Sequence, residues 1–459
     1  MPERSRATVQ RSLADPSLEY ALEPALTAGC PESRTEEIQY PVEVDYEYDT
    51  IETSLFERPL AAGLERWQPL LPPLAPDTAL GEGNTPVVEA PTVGQWLGLE
   101  SVVDEGEPTL FVKDESQNPT WSHKDRLNRC TVSSAVGEEA TGIVASSTGN
   151  HGAAAAAYAA RAGLPCVVLT APETPPAVTR FMSAYGSVVL AVDALDVRQT
   201  AVDRLTEEYG FHPVSSRTPV HTGHAWGPEG YKTIAYELYC QLERVPGTVA
   251  VPTCYAELLY GVWKGFRELE SCEIVDRTPT LVACEPGVRA PLCRALESGQ
   301  RVASVDPEPT AAYSIKATTS SVRGLRAIRE SDGIAVGFTE AHLEASQHRL
   351  ARSGLWQETS GAAGVAGLCA LLEDDGPAAA VTADGTPLDG TDLELDGPVV
   401  AIATSSGFKD GAGRFGGGRD STSSSVGEHS QNRTVGIPRI DGEWEAIRRA
   451  LEAHEGVPV

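Results

Sequence analysis

Residues Gly142 to Leu169 read as one strand-helix-strand unit, and this unit constrains the fold more than any other part of the chain. Gly142-Ile143-Val144-Ala145 is an apolar run of strand length, and Ser146-Ser147-Thr148-Gly149-Asn150 is a polar loop. An alanine-rich stretch then ends at Gly163, and Cys166-Val167-Val168-Leu169 is a second apolar run. Two strands joined through a helix lie parallel, since a parallel pair needs a long crossover. Such crossovers are right-handed, and parallel sheets carry helices on both faces. The expected class is therefore α/β with open, twisted parallel sheets. Hydroxyls, a glycine and backbone amides at the start of the helix form an anion cradle suited to a carboxylate or phosphate. The same residues also suit a helix that is merely well capped, and the loop alone does not separate the two.

The chain uses six lysines against thirty arginines, so the lysine in Asn118-Pro119-Thr120-Trp121-Ser122-His123-Lys124-Asp125-Arg126 stands out. An amine that can lose its proton forms a Schiff base, which a permanently charged guanidinium cannot. Thr109 to Asp114 alternates apolar and polar side chains as a strand does, and Asn118-Pro119 breaks it. Lys124 then opens a helix that runs to about Val136. A solvated lysine in a first helical turn is the commoner fate of a single lysine. Against that reading, the positive end of the helix dipole disfavours a second positive charge and nudges the amine toward its neutral, nucleophilic form.

Seven segments in order carry a family resemblance. They are Gly81-Glu82-Gly83-Asn84-Thr85-Pro86, Asn118 to Arg126, Ser147-Thr148-Gly149-Asn150, Glu229-Gly230-Tyr231-Lys232-Thr233, Gly261-Val262-Trp263-Lys264-Gly265-Phe266, Glu358-Thr359-Ser360-Gly361-Ala362-Ala363 and Thr404-Ser405-Ser406-Gly407-Phe408-Lys409-Asp410. Together they resemble the threonine synthase branch of the fold-type II pyridoxal-phosphate (PLP) enzymes, over roughly residues 55 to 411. The resemblance implies that Lys124 holds PLP as a Schiff base and then shuttles protons at the substrate's α-carbon. It also implies that Asn150 meets the cofactor's ring hydroxyl and Thr404 its ring nitrogen. Ser147, Thr148 and Gly149 would hold the substrate carboxylate, with Ser122 and His151 on the substrate side. A neutral hydroxyl at the ring nitrogen suits elimination and replacement better than transamination.

The chain departs from the family at several of these positions. Trp121 and His123 replace plainer residues in the lysine segment, so the substrate side of the pocket should differ. His123 is a candidate second acid or base, although a packed or solvent-facing histidine is the ordinary alternative. His151 follows Asn150 as in serine and threonine dehydratases. The largest departure is Thr253-Cys254-Tyr255-Ala256-Glu257, which stands where the family has a glycine-rich cup for the cofactor phosphate. Glycines there let the backbone approach a dianion. No glycine lies between Val251 and Tyr260, and Glu257 brings a carboxylate. Phosphate binding by Thr253 to Glu257 must then be rebuilt, weakened or lost, with the Thr253 hydroxyl and the helix start at Leu258 as remaining donors.

The implied reaction is lyase chemistry on an amino-acid substrate, most simply conversion of O-phosphohomoserine to threonine. Serine or threonine dehydration, ammonia loss, or β-replacement of the cysteine or cysteate synthase kind is the second reading. A non-catalytic relative that keeps the fold is the third. There is no Gly-x-Ser-x-Gly elbow, His-Glu-x-x-His or Walker loop. His212, His221 and His224 lack cysteine or acidic partners at ligand spacing and are expected to be satisfied or exposed. Cys30, the possible remnant of a cysteine-rich segment, cannot alone bind zinc, so no metal is expected.

A formal charge of −29 argues against nucleic acid or an anionic membrane as partner, and it resembles adaptation to high salt. Nine cysteines without paired spacing suit reduced thiols in a cytoplasm, and no apolar run reaches membrane-spanning length. Residues 1 to 20 are polar and charged, unlike a signal peptide. Family members are commonly dimers, so a homodimer is expected. The expected organisation is an arm at 1–80, a large domain at 81–118 and 218–411, a small domain at 119–217 and a tail at 412–459. Asp374 to Gly397 reads as an acidic surface excursion, and Gly411 to Gly418 as the start of the Gly/Ser-rich tail. A last helix at Glu443 to His454 gathers Trp444, Ile447 and Leu451 on one face.

Overall fold

The computed structural model describes residues 4–35, 38–99, 110–218, 220–373, 379–388, 395–410, 438–440, 442–454 and 456–458. Gly411 to Gly418 and parts of the expected excursion at 374–397 lie outside the described residues.

The arm folds into a small antiparallel sheet of β1 (Ala7–Ser12), β2 (Glu19–Ala21) and β3 (Val42–Tyr46), in the order β2-β1-β3. Val42, Val44 and Tyr46 alternate inward and join the core of the body beside helix α1 (Ser54–Glu57). Strand β4 (Val87–Glu89), helix α2 (Pro91–Trp96) and strand β5 (Leu110–Asp114) begin the large sheet. The chain then crosses through α3 (Lys124–Gly137) into β6 (Gly142–Ser146), α4 (Asn150–Ala162), β7 (Cys166–Thr170), α5 (Pro176–Ala184), β8 (Val188–Val192), α6 (Leu195–Tyr209) and β9 (Phe211–Pro213). It returns by α7 (Gly227–Tyr231) and α8 (Thr233–Leu242) to β10 (Thr248–Pro252), α9 (Glu257–Ser271), β11 (Thr280–Pro286), α10 (Pro291–Ser298) and α11 (Val322–Glu330). Strand β12 (Ile334–Phe338), α12 (Glu340–Arg352), α13 (Ala363–Leu371), β13 (Ala380–Thr382) and β14 (Val399–Ala403) complete the large sheet.

The large sheet runs β13-β12-β11-β10-β14-β5-β4. Its five central strands are parallel, whereas the three-residue edges β4 and β13 are antiparallel. The expected open parallel sheet forms the centre, and short antiparallel strands blunt its two edges. Strand β13 also shows that Asp374 to Gly397 is more than an excursion, because Ala380 and Val381 are buried against β12.

The small sheet runs β15-β8-β7-β6-β9, all parallel, and its edge β15 (Arg439–Ile440) comes from the expected tail. Helix α14 (Trp444–Glu452) follows and buries Ile447 and Leu451 against the β8 and α6 layer. Within the expected tail at 412–459, the segment from Arg439 thus joins the small domain. Strands β7, β8, β10 and β14 are buried at every position, as sheets covered on both faces require. Helix α4 can lie close to its neighbours because Ala153 to Ala157 present only methyl groups, and Gly163 ends it at φ 72 in the left-handed region.

Buried ion networks fix the segment that bears Lys124. Arg126 donates to Glu115 from Nε and Nη2 at 2.7 and 2.8 Å and to Glu237 from Nη1 and Nη2 at 2.6 and 2.7 Å. Lys113 adds a 2.7 Å contact to Glu237. The Gly81 to Pro86 segment closes over this network: Gly83 N–H donates to Asn118 Oδ1 at 2.9 Å, Asn84 N–H to Glu237 at 2.8 Å, and the Thr85 hydroxyl to Glu115 at 2.6 Å. A second network joins Glu229 and Glu268 to Lys232 and Lys264 at 2.7 to 2.8 Å. The Tyr46 hydroxyl donates to Glu229 at 2.8 Å, so the arm is tied into the same charges. Among the described residues, no helix is long and apolar enough to cross a membrane.

Candidate active site

A cavity of about 1050 Å³ is lined by the turns that leave the carboxyl ends of the strands: Ser147 to Gly149 after β6, Ala171 after β7, Val214 to Ser216 after β9, Cys254 to Glu257 after β10 and Thr404 after β14. Open parallel sheets bind ligands at this end. The lining brings together Lys124, Ser147, Thr148, Gly149, Asn150, His151, Cys254, Tyr255, Ala256, Glu257 and Thr404. Two residues expected in the site are not in the lining. Thr253 is buried and its hydroxyl donates to Val251 O at 2.8 Å, so it is spent locally. Ser122 is fully buried and pairs with Ser405 across an isolated bridge.

Lys124 opens α3 as its sequence suggests. Its Nζ donates to the Tyr231 hydroxyl at 2.9 Å. Burial lowers its proton affinity, and nearby Glu257 and Cys254 oppose that only in part. Tyr231 is held well above the ordinary tyrosine range by burial and by Glu257, so its hydroxyl stays protonated. His123 sets its Nδ1 3.1 Å from Thr404 O, and burial holds it well below the usual histidine range. His151 is pushed down to about 3 by burial and by the Lys124 charge. Both imidazoles are therefore neutral.

The loop before α4 caps its helix and lies at the cavity wall. Ser147 Oγ accepts from Gly149 N–H at 3.3 Å and Gly152 N–H at 3.0 Å, which caps the helix. The same loop lines the cavity. Asn150 is already engaged: its amide donates to both Glu358 oxygens at 3.0 Å and to Ser405 at 3.2 Å, and its oxygen accepts from Lys409 at 2.7 Å. Burial pushes Lys409 down to about 8 and Glu358 above the usual carboxylate range.

Glu257 is the first residue of α9 and turns back into the cavity. Its Oε2 lies 3.2 Å from His221 Nε2 and its Oε1 4.0 Å from Arg323 Nη1. Burial alone would raise its pKa, but His221, Lys124 and Arg323 outweigh it and hold the carboxyl far below its usual range. His221 stacks on Tyr255 with ring centroids 4.2 Å apart and planes at 9°. His212 and His224 are satisfied, their Nε2 atoms 2.8 Å apart.

Sequence reasoning did not assign Tyr231, Glu358, Lys409, His221 or Arg198 to the site. The first three lie inside the segments that carried the family resemblance, which was the available signal. His221 and Arg198 reach the cavity only through the return loop after β9 and the first turn of α6, and no local pattern marks either.

A family model described as pyridoxal-phosphate dependent enzyme matches residues 78–382. The threonine synthase of Methanocaldococcus jannaschii is 31% identical over 388 residues, covering 80% of this chain and 87% of that protein. The threonine synthase of Synechocystis sp. is 32% identical over 353 residues, covering 76% and 83%. Among solved structures, maize serine racemase matches with TM-score 0.56 at 20% identity, over 71% of this chain and 88% of that one. The processed form of threonine deaminase isoform 2 from Solanum lycopersicum matches with TM-score 0.55 at 20% identity, over 72% and 85%. At such identities the two structures speak to the fold alone.

Proposed function

The chain belongs to the pyridoxal-phosphate dependent enzyme family, and from that premise we propose that it is a lyase working on an amino-acid side chain, as a threonine synthase does in converting O-phosphohomoserine to threonine. Lys124 carries the reading: an enclosed amine with lowered proton affinity beside a helix N-terminus of hydroxyls and amides. These residues fit the cofactor's aldehyde, and the cavity has room for a pyridine ring and an amino acid together. Lys124 would hold the cofactor, with Thr404 toward its ring nitrogen and Asn150 toward its ring hydroxyl once its amide leaves Glu358 or Ser405. When bound, the cofactor supplies an electron sink that makes the substrate's α-proton acidic.

The chain's own residues account for the rest. The Tyr231 hydroxyl accepts from Lys124 Nζ and fixes the amine's direction. Lys124 takes the proton from the α-carbon and later returns one. Ser147, Thr148 and Gly149, at the positive end of α4, hold the substrate carboxylate and so orient that α-carbon. Neutral His123 and His151 complete a polar wall without adding positive charge that would further oppose protonation of Lys124.

Arg198 supports a phosphate-bearing substrate. It lines the cavity, and its buried Nε and the neighbouring Gln199 Nε2 have no hydrogen-bond partner among the described residues. Glu173 and Asp196 line the same mouth, and carboxylates there favour a substrate without phosphate. That observation keeps dehydration, ammonia loss and β-replacement as the second reading. Release of inorganic phosphate from O-phosphohomoserine, lost in Lys124→Ala, supports the synthase. Ammonia from serine or threonine with no phosphate release refutes it in favour of the second reading. The excess of 65 acidic over 36 basic residues supports a cytoplasm of high salt as its setting.

A further inference from the structure

Resting on the cofactor reading above, we infer that Glu257 is a resident anion filling the end of the cavity that would otherwise take the cofactor's phosphate, so that the site binds pyridoxal, the unphosphorylated aldehyde, about as well as its phosphate ester. Of the helix N-termini that open onto the cavity, those of α4 and α9 flank the turns where the sequence expects the substrate carboxylate and the cofactor phosphate. That of α4 faces the loop at Ser147, and that of α9, fifteen residues long, faces the turn after β10. At the second, the Arg323 guanidinium adds a positive charge to the helix dipole. An external phosphate would find its counter-charges there.

Those counter-charges are already matched. Glu257 sits in the first turn of α9, where a carboxylate best suits the dipole, and its oxygens lie toward His221 and Arg323. The arrangement is held from every side. His221 is clamped by its stack on Tyr255. Arg323 is 2% exposed and donates to the carbonyls of Thr222 and Val42, so it cannot swing to a new anion. Residue 223 is a glycine at φ 65, and a β-carbon built there would collide with Glu257 Oε1; the carboxylate uses space that any other residue would fill. The turn holds Ala256 at φ 61 in the left-handed region, and Glu257 directly after it supplies the anion. A phosphate dianion entering this end meets a fixed like charge in a poorly solvated place, and the cost falls on the phosphate alone. The aldehyde and ring are untouched by it.

The full-length protein, in high salt, would be titrated with pyridoxal phosphate and separately with pyridoxal, reading the visible absorbance of the bound aldehyde. Lys124→Ala serves as the blank. The parent should bind the two forms within a few-fold of one another. Glu257→Gln, which keeps the volume and removes the charge, should tighten the phosphorylated form by about tenfold or more while leaving pyridoxal nearly unchanged. Glu257→Gly should do the same, which covers a folding defect specific to glutamine; circular dichroism reports the fold of each. A parent that strongly prefers the phosphate ester, or variants that fail to tighten it, overturns the inference and leaves the lyase reading standing. Absence of Lys124-dependent absorbance with either form, in parent and variants alike, overturns both.

Discussion

Exchanging Arg126 for methionine keeps an unbranched apolar stem and deletes the guanidinium. Four N–H···O contacts of 2.6 to 2.8 Å to the carboxylates disappear, as do bonds to Thr233 at 2.8 Å and Thr85 at 3.2 Å, and Glu115 and Glu237 are left in a region that is wholly buried. Glu237 retains Lys113 at 2.7 Å, so the stranded charge is chiefly that of Glu115. Burial pushes the Glu115 carboxyl up and Arg126 pulls it down, with the guanidinium prevailing in the parent. Without it, Glu115 stays charged and unpaired or takes up a proton, and removing one partner of a buried pair costs about 3–5 kcal/mol. Followed by tryptophan fluorescence in molar salt, the urea midpoint should fall by about 1–2 M at a slope of roughly 2–3 kcal/mol/M. Adding Glu115→Gln to Arg126→Met should recover much of that loss, because Glu237 and Lys113 still form a neutral pair. A midpoint shift below about 0.3 M in the single variant, or a double variant no better than the single, would refute this account of the network.

Stability should also fall with acid in a defined direction. Burial, and Lys124 for His151 and His123 or His212 for His224, hold these three histidines below their usual range, His151 at about 3. The unfolded chain therefore takes up protons first as pH drops below about 6.5, and each histidine subtracts at most about 1.4 kcal/mol per pH unit from there downward, with nothing lost above it. Urea midpoints measured across that range test the slope, and His151→Asn should flatten it; a steeper decline in that variant contradicts the assignment. The surplus of acidic residues gives a separate expectation, that circular dichroism loosens on dialysis from molar to dilute salt; an unchanged spectrum counts against adaptation to salt.

Patterns that are local in sequence were readable directly. The helix opened by Lys124, the loop at Ser147 and the alanine helix ended by Gly163 each follow from propensity, capping and strand length within a few residues. Arrangements that depend on distant partners were not. Nothing around Ala380 announces that it pairs with β12, and nothing around Arg439 announces that it joins β8, because three- and two-residue strands carry too little alternation to register. The site divides in the same way. Lys124 was legible from its setting, whereas the commitment of Asn150 to Glu358 and Lys409, and of Glu257 to His221, arises from residues brought together only by the fold. Thr253 shows the opposite failure: a hydroxyl in the right segment turns away and bonds its own strand.

The late return of the chain to the small sheet has a consequence for synthesis. Strand β8 ends at Val192, and the residues that cover its open edge begin at Arg439. At roughly 5–20 residues per second, a nascent small domain carries that edge, together with the apolar surface awaiting Ile447 and Leu451, for on the order of ten seconds to a minute. The large sheet can be assembled in that interval, while the small one stays open to wrong partners until the final segment emerges. Lost to early termination, the last twenty or so residues would leave the β8 edge and its greasy flank uncovered, with the lysine and every lining residue of the cavity already made.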